Sequence, residues 1–272
     1  MQFASRESMR EARERFEELI SAGTPDTLRS LADELFAVAG VVDRERTLRR
    51  HLADPATSED KRRRLADTVF GGKVSDAALE ILQGLVASRW SAGGDLVDAV
   101  ETLARLAALA VAERDDAIED VEDELFRFAR VLAAQPRLRD LLADQLQPVD
   151  GRLELLDRLL SGKAHPVTLQ LLRQVVRLPR GRNLDAVAAR LAELAAERRG
   201  RSVAVVTAAA PLTAEQEARL TDILSRIYGR AIDVQIELDA GVLGGLVVRV
   251  GDERIDGSVA ARLAAARQRL SG

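Results

Sequence analysis

The feature that most restricts this chain is that it repeats itself with a shift of 90 residues. Asp33, Glu34, Leu35 and Phe36 recur as Asp123, Glu124, Leu125 and Phe126. Leu52, Ala53 and Asp54 recur as Leu142, Ala143 and Asp144, and Gly72-Lys73 as Gly162-Lys163. Leu65, Asp67, Leu79, Leu82 and Val86 have identical partners at Leu155, Asp157, Leu169, Leu172 and Val176. Without a gap, about twenty of roughly fifty-four positions are identical, which indicates duplication. The period is too long for a solenoid unit, so a whole bundle was copied.

Periodicity and punctuation define the copied unit. Helices are expected from Arg6 to Ala22, stopping at Gly23, and from Thr24-Pro25 to about Ala39. Thr57 caps one through Val69, Ser75 one through about Arg89, and Gly93-Gly94 precede a long helix from Asp95 to Arg114. These five belong to an expected bundle of six helices with short polar links. By the same shift, Asp95–Arg114 is the counterpart of Arg6–Ala22. It closes the first bundle, and it or its continuation through Asp115 to Val121 is expected to couple the two bundles rigidly.

From Arg201 the period changes. SVAVVTAAAP reads as a β-branched strand, and Thr213 to Gln216 as a capping box opening a helix with Leu220, Ile223, Leu224 and Ile227 on one face. Ile232, Val234, Ile236 and Leu238 alternate with polar residues, the pattern of a half-solvated antiparallel strand. Gly244-Gly245, the alternating Leu246, Val248 and Val250, the turn Gly251-Asp252 and then Ile255 predict a hairpin. Asp256 or Ser258 would cap a last helix bearing Val259 and Leu263. The expected fold is thus mainly α with a small α+β C-terminal module: two tandem six-helix-type bundles, residues 1–115 and 116–200, then a strand-helix-strand-hairpin-helix module, 201–272.

Composition excludes several classes of function. Aromatics are only 3%, which disfavours base-stacking surfaces, and the net charge is −4, so nucleic acid is not an expected partner. With no cysteine there is no disulfide, zinc thiolate or cysteine nucleophile. No window reaches the ~18 apolar residues of a membrane span; the closest, Leu103 to Ala112, contains Arg105.

The chemistry-bearing residues read as structural. Gly71-Gly72-Lys73 and Ser161-Gly162-Lys163 lack the spacing and the following Ser or Thr of a Walker loop, so they are expected as helix stops. His51 and His165 have no second ligand at metal spacing; the first reads as a surface residue, the second as a cap before Pro166. Asp252, Glu253 and Asp256 sit at a hairpin tip, where water keeps carboxylates ordinary. Lys61 to Arg64 read as a solvated helix face, with a patch for an acidic partner as the other reading. Trp90, the sole tryptophan, is a core anchor or an interface anchor.

The run from Gly244-Gly245 through Gly251-Asp252 to Ile255, Asp256, Gly257, Ser258 and Val259, with a Leu-rich terminal helix, resembles the C-terminus of the F-type ATP synthase delta subunit, the family of the oligomycin-sensitivity-conferring protein. About Val121 to Leu270 is similar to an ordinary member lacking its first helix, and residues 1–115 are similar to an extra bundle copy. The resemblance implies a stator in the peripheral stalk, tying the α3β3 head to a b-type stalk, with no catalysis and no cofactor. It would be monomeric within the complex, not inserted in the membrane, and placed at the cytoplasmic face of the cell membrane. It also implies that a bundle receives the N-terminal helix of an α subunit in a groove between its first and fifth helices. In the first copy this falls on Phe16, Leu19, Leu82, Val86 and Trp90; which copy binds the head stays open. The C-terminal module would hold the stalk, shaped by Leu246, Val248, Ile255 and Leu263. Two rivals are a helical adaptor for another assembly and a small α/β enzyme using the Asp252–Asp256 region.

Overall fold

The computed structural model describes residues 3–228, 232–239, 242, 244–250 and 253–257. They fall into two compact units, Met1–Ala195 and Ala196–Gly272. The first carries α1 (Phe3–Ile20), α2 (Pro25–Arg44), α3 (Arg46–Ala53), α4 (Glu59–Phe70), α5 (Asp76–Ala87), α6 (Gly93–Arg114), α7 (Ile118–Ala134), α8 (Pro136–Ala143), α9 (Val149–Leu160), α10 (Pro166–Arg177) and most of α11 (Leu184–Ser202). The second carries β1 (Val203–Ala208), α12 (Ala214–Tyr228), β2 (Asp233–Leu238), β3 (Leu246–Val250) and β4 (Glu253–Asp256). Mainly α with a small α+β module is therefore the fold of the described residues.

The duplication is visible in the helix ends. Adding 90 to the bounds of α3, α4 and α5 gives the bounds of α8, α9 and α10. Gly72 and Gly162, just beyond α4 and α9, have φ of 69° and 68°, the left-handed conformation that favours glycine at a helix stop. Glu34 accepts from the Ser75 amide (3.1 Å) and hydroxyl (2.5 Å). Its counterpart Glu124 accepts from the His165 amide (2.9 Å) and the Thr168 hydroxyl (2.5 Å). His165 also caps α10, its Nδ1 accepting from the Val167 amide. Pro166 stands at the first turn of α10, and Pro148 is the residue before α9.

The two copies share α6. Its packed neighbours are α1, α2, α3 and α5 of the first copy and α7 and α10 of the second, with the longest seam against α2. Every residue from Leu103 to Glu113 is buried, on all sides of the helix. A helix apolar all round needs packing all round, and Ala104, Ala107, Ala108, Ala110 and Ala112 let neighbouring backbones approach closely. One hydrophobic cluster runs from Met9 to Ala195 through it. The junction expected at residue 115 thus falls inside a single unit, and each copy counts six helices only because α6 belongs to both. The link from α6 to α7 is a short turn, with the Ala117 amide donating to the Ala112 carbonyl at 2.8 Å.

In the second unit the sheet order is β2-β1-β3-β4. β2 pairs parallel with β1, not antiparallel as its alternation suggested. The strands flank α12, and a strand–helix–strand crossover returns the chain in the same direction. Thr213 and Gln216 form the expected reciprocal capping box, at 2.9 Å and 3.3 Å. Val248 and Val250 face the small core with Ala204, Val206 and Leu224. Gly244 and Gly245 both have positive φ, 70° and 80°, which explains the double glycine.

Leu109, fully buried in α6, reports on this arrangement. Leu109→Ala is expected to lower unfolding stability by ~2–5 kcal/mol, measured by chemical denaturation.

Candidate functional site

A groove of about 180 Å³ lies between α1 and α5. Its construction begins with how α1 is anchored. At one end, buried Ser5 donates to Asp95 Oδ2 (2.7 Å) and accepts from the Ser91 amide (2.8 Å), while Ser8 donates to the Arg89 carbonyl (2.8 Å). At the other end Arg114 donates to the carbonyl of Ile20 at 2.8 Å. Between these ties the middle of α1 faces α5. Phe16, Ile81, Leu85 and Leu103 form an apolar floor, and Ala12 and Leu19 an apolar wall. Glu11, Arg15, Arg63 and Glu80 set charges of both signs on the rims.

Gly84 opens the groove. It sits inside α5, where glycine costs ~1 kcal/mol relative to alanine. A Cβ built there meets nothing within 4 Å, so no packing within the chain requires its absence. Its bare backbone leaves this side of α5 open along the groove.

The sequence-predicted groove residues divide. Phe16 and Leu19 line it. Leu82 and Val86 do not: both are fully buried in the core behind α5, which faces the groove with Ile81, Gly84, Leu85 and Ser88 instead. The apolar stripe of α5 was read one helical step away from its open face. Trp90 is buried, its indole N–H donating to the Leu85 carbonyl at 2.7 Å, which makes it a core anchor.

The basic run at Lys61–Arg64 is also not one solvated face. Arg62 is 4% exposed and donates to the Ser88 (2.9 Å) and Ala87 (3.1 Å) carbonyls at the end of α5, holding that wall in place. Arg152 does the same at the end of α10, donating to the Val176 carbonyl at 2.7 Å. The two are counterparts across the repeat, and that identity is the signal that could have marked Arg62 as structural.

A polar network closes the top of α6. Glu101 is 2% exposed and pairs with Arg105 at 2.5 Å and Arg182 at 2.7 Å. Arg180, in the left-handed conformation at φ 51°, reaches Glu101, Asp98 and, at 3.1 Å, Asp43 of α2. Burial pushes the Glu101 carboxyl up, but the guanidinium groups of Arg105, Arg182 and Arg180 outweigh it and hold it below the ordinary range.

At the C-terminal unit, Gly244 and Gly245 shape the chain before β3, Leu246 is half-buried and Val248 is in the core. Ile255 is 41% exposed rather than continuing the buried face, and Asp256 ends β4 exposed. Gly251, Asp252, Ser258, Leu263 and the expected terminal helix lie outside the described residues. On α12, Leu224 faces the sheet whereas Ile223 and Ile227, one turn apart, are exposed. Among the described residues no group of His, Cys, Asp or Glu is placed to hold a metal ion, and no helix is long and apolar enough to cross a membrane.

Removing Glu101 leaves three buried or half-buried cations facing one another, so Glu101→Ala is expected to cost ~3–5 kcal/mol. Because the folded carboxyl titrates below its unfolded value of about 4.3, its contribution is present above that pH and is lost as pH falls through the lower folded value. Unfolding free energy measured against pH should fall in this acid window, and the variant should lose that component of the slope.

The profile of the ATP synthase delta (OSCP) subunit family matches residues 104–270. It begins within α6, so the second copy does not lack a first helix: α6 supplies it. The ATP synthase subunit delta of Streptomyces griseus is 46% identical over 272 residues, covering 100% of both chains. That of Acidothermus cellulolyticus is 45% identical over 273 residues, again covering 100% of both. The ATP synthase subunit b-delta of Mycobacterium sp. (strain KMS) is 48% identical over 270 residues; the match takes in 99% of this chain and spans 61% of that relative's length.

Proposed function

The chain belongs to the ATP synthase delta (OSCP) subunit family, and from this we propose that it is a peripheral-stalk subunit of the F-type ATP synthase, linking the α3β3 head to a b-type stalk against rotor torque. It performs no catalysis of its own. It is held peripherally at the cytoplasmic face of the cell membrane through the complex. The physical demands of a stator agree with the helical unit: a continuous core through α6, buried ionic ties across the copies, and an open apolar seat for a partner helix.

The observation that carries the partner assignment is the α1/α5 groove with Gly84 at its centre. The N-terminal helix of an α subunit lies there with its apolar face over Phe16, Leu19, Ile81 and Leu85. Its charged flanks meet Glu11, Arg15, Arg63 and Glu80. This is helix-in-groove recognition, in which apolar anchors one turn apart seat in the groove. Leu82, Val86 and Trp90 support the groove from below. The C-terminal unit holds the stalk, with Ile223, Ile227, Leu238 and Ile255 among its exposed apolar side chains.

Leu19→Asp places a charge on the apolar wall and is expected to weaken binding of the α-subunit N-terminal peptide by ~2 kcal/mol or more in calorimetry. Gly84→Ala should instead stabilise the free chain by ~0.5–1 kcal/mol, since only helix propensity changes. Full affinity in a folded Leu19→Asp variant would remove the groove from the account. For the other unit, the pair Ile223→Asp and Ile227→Asp is expected to abolish capture of the b-type subunit while leaving α-peptide binding unchanged; retained capture would move the stalk contact elsewhere.

A further inference from the structure

We propose that this chain has one receiving groove, the α1/α5 groove of the first copy, and that its own α2 occupies the corresponding seat in the second copy. The proposal rests on the groove reading above and answers which copy takes the head's helix.

The second seat would lie between α6 and α10, the counterparts of α1 and α5. On α1, Arg15 is exposed and Ala12 and Leu19 are partly open. Their counterparts on α6 are Thr102, which is partly open, and Arg105 and Leu109, which are buried. The exposed pair Glu11 and Arg15 becomes the buried ion pair Glu101–Arg105, already committed to Arg180 and Arg182. A charge consumed within the chain is not available to an incoming helix.

The occupant is assigned from the seam of α2 on α6 together with single polar ties from α2 to α10 and to the loop after it. α2 makes its longest seam along α6, and Asp33 on α2 accepts a hydrogen bond from Gln170 Nε2 of α10 at 2.7 Å. Gln170 is the counterpart of Glu80, a rim residue of the open groove. Asp43, near the other end of α2, takes Arg180 from the loop after α10. So α2 lies on α6 and is tied to α10 and the loop that follows it. The glycine clearance is also gone, because Gln174 stands where Gly84 stands in the first copy. Duplication with a shared helix has this consequence: the helix that closes the first bundle brings its partner α2 against the second bundle's seat.

Calorimetric titration of the full chain with a synthetic peptide of the α-subunit N-terminal helix tests this. One site per chain is expected. Gly84→Trp should weaken binding at least about tenfold, and Gln174→Trp should leave the Kd within about twofold. In the unmodified chain, hydrogen exchange should show peptide-induced protection on α1 and α5 and none on α10, a readout that needs no variant to fold. Two sites per chain, protection on α10, or loss of binding in Gln174→Trp with retention in Gly84→Trp would overturn the assignment. Absence of any binding to the unmodified chain would instead overturn the groove reading beneath it.

Discussion

The burial of α6 on all sides is the constraint from which the rest of the helical unit follows. A helix with alanine, leucine and valine around its whole circumference cannot stand at a bundle's surface, because no face of it prefers water. It needs neighbours from both directions, and the two copies provide them: α2, α3 and α5 from one, α7 and α10 from the other. Neither copy is complete without it. The duplication therefore produced one body rather than two joined by a linker. The polar network at its N-terminal half, Glu101 with Arg105, Arg180 and Arg182, adds register to a seam that alanine packing alone leaves free to slide.

This arrangement makes the copies unequal although their helices begin and end in register. The first keeps an outer helix, α1, tied at both ends by Ser5, Ser8 and Arg114 and open along its middle. The second uses a buried helix in the same role. Residues that match across the repeat are those that hold each bundle together, such as Arg62 and Arg152 or Glu34 and Glu124. Residues that differ mark where the copies have different surroundings. Gly84 against Gln174 and Trp90 against Arg180 are of this kind: a clearance became a wall, and a core anchor became a tie to the other copy.

Much of this was legible in the chain itself. The 90-residue shift located equivalent helices, and the same shift placed α6 in two roles before any coordinate. The glycine stops after α4 and α9, Ser75, the Thr213 capping box and the double glycine before β3 read correctly because they act locally, whereas α1 ends at Ile20 ahead of Gly23 and Gly93-Gly94 open α6 rather than precede it. Misreadings came where tertiary surroundings decide. The apolar stripe of α5 is wide enough to serve core and groove, and sequence periodicity does not say which edge is open; Leu82 and Val86 went to the core. Arg62 lay in a run of cations that read as solvated, because a buried arginine capping a helix end needs carbonyls from 25 and 26 residues away. Alternation in β2 indicated a strand with one wet face, but its direction was set by the helix before it. The short helix α3 has no side-chain cap to announce it.

Native-state hydrogen exchange across α6 tests the central claim most directly, that the two copies are one cooperative body around a common helix. The account predicts that amides of α6, and the slowest amides of α2 and α10, open with a single free energy equal to that of global unfolding of the helical unit. A second copy that opens by itself at a lower free energy, while α6 stays protected with the first, would contradict it.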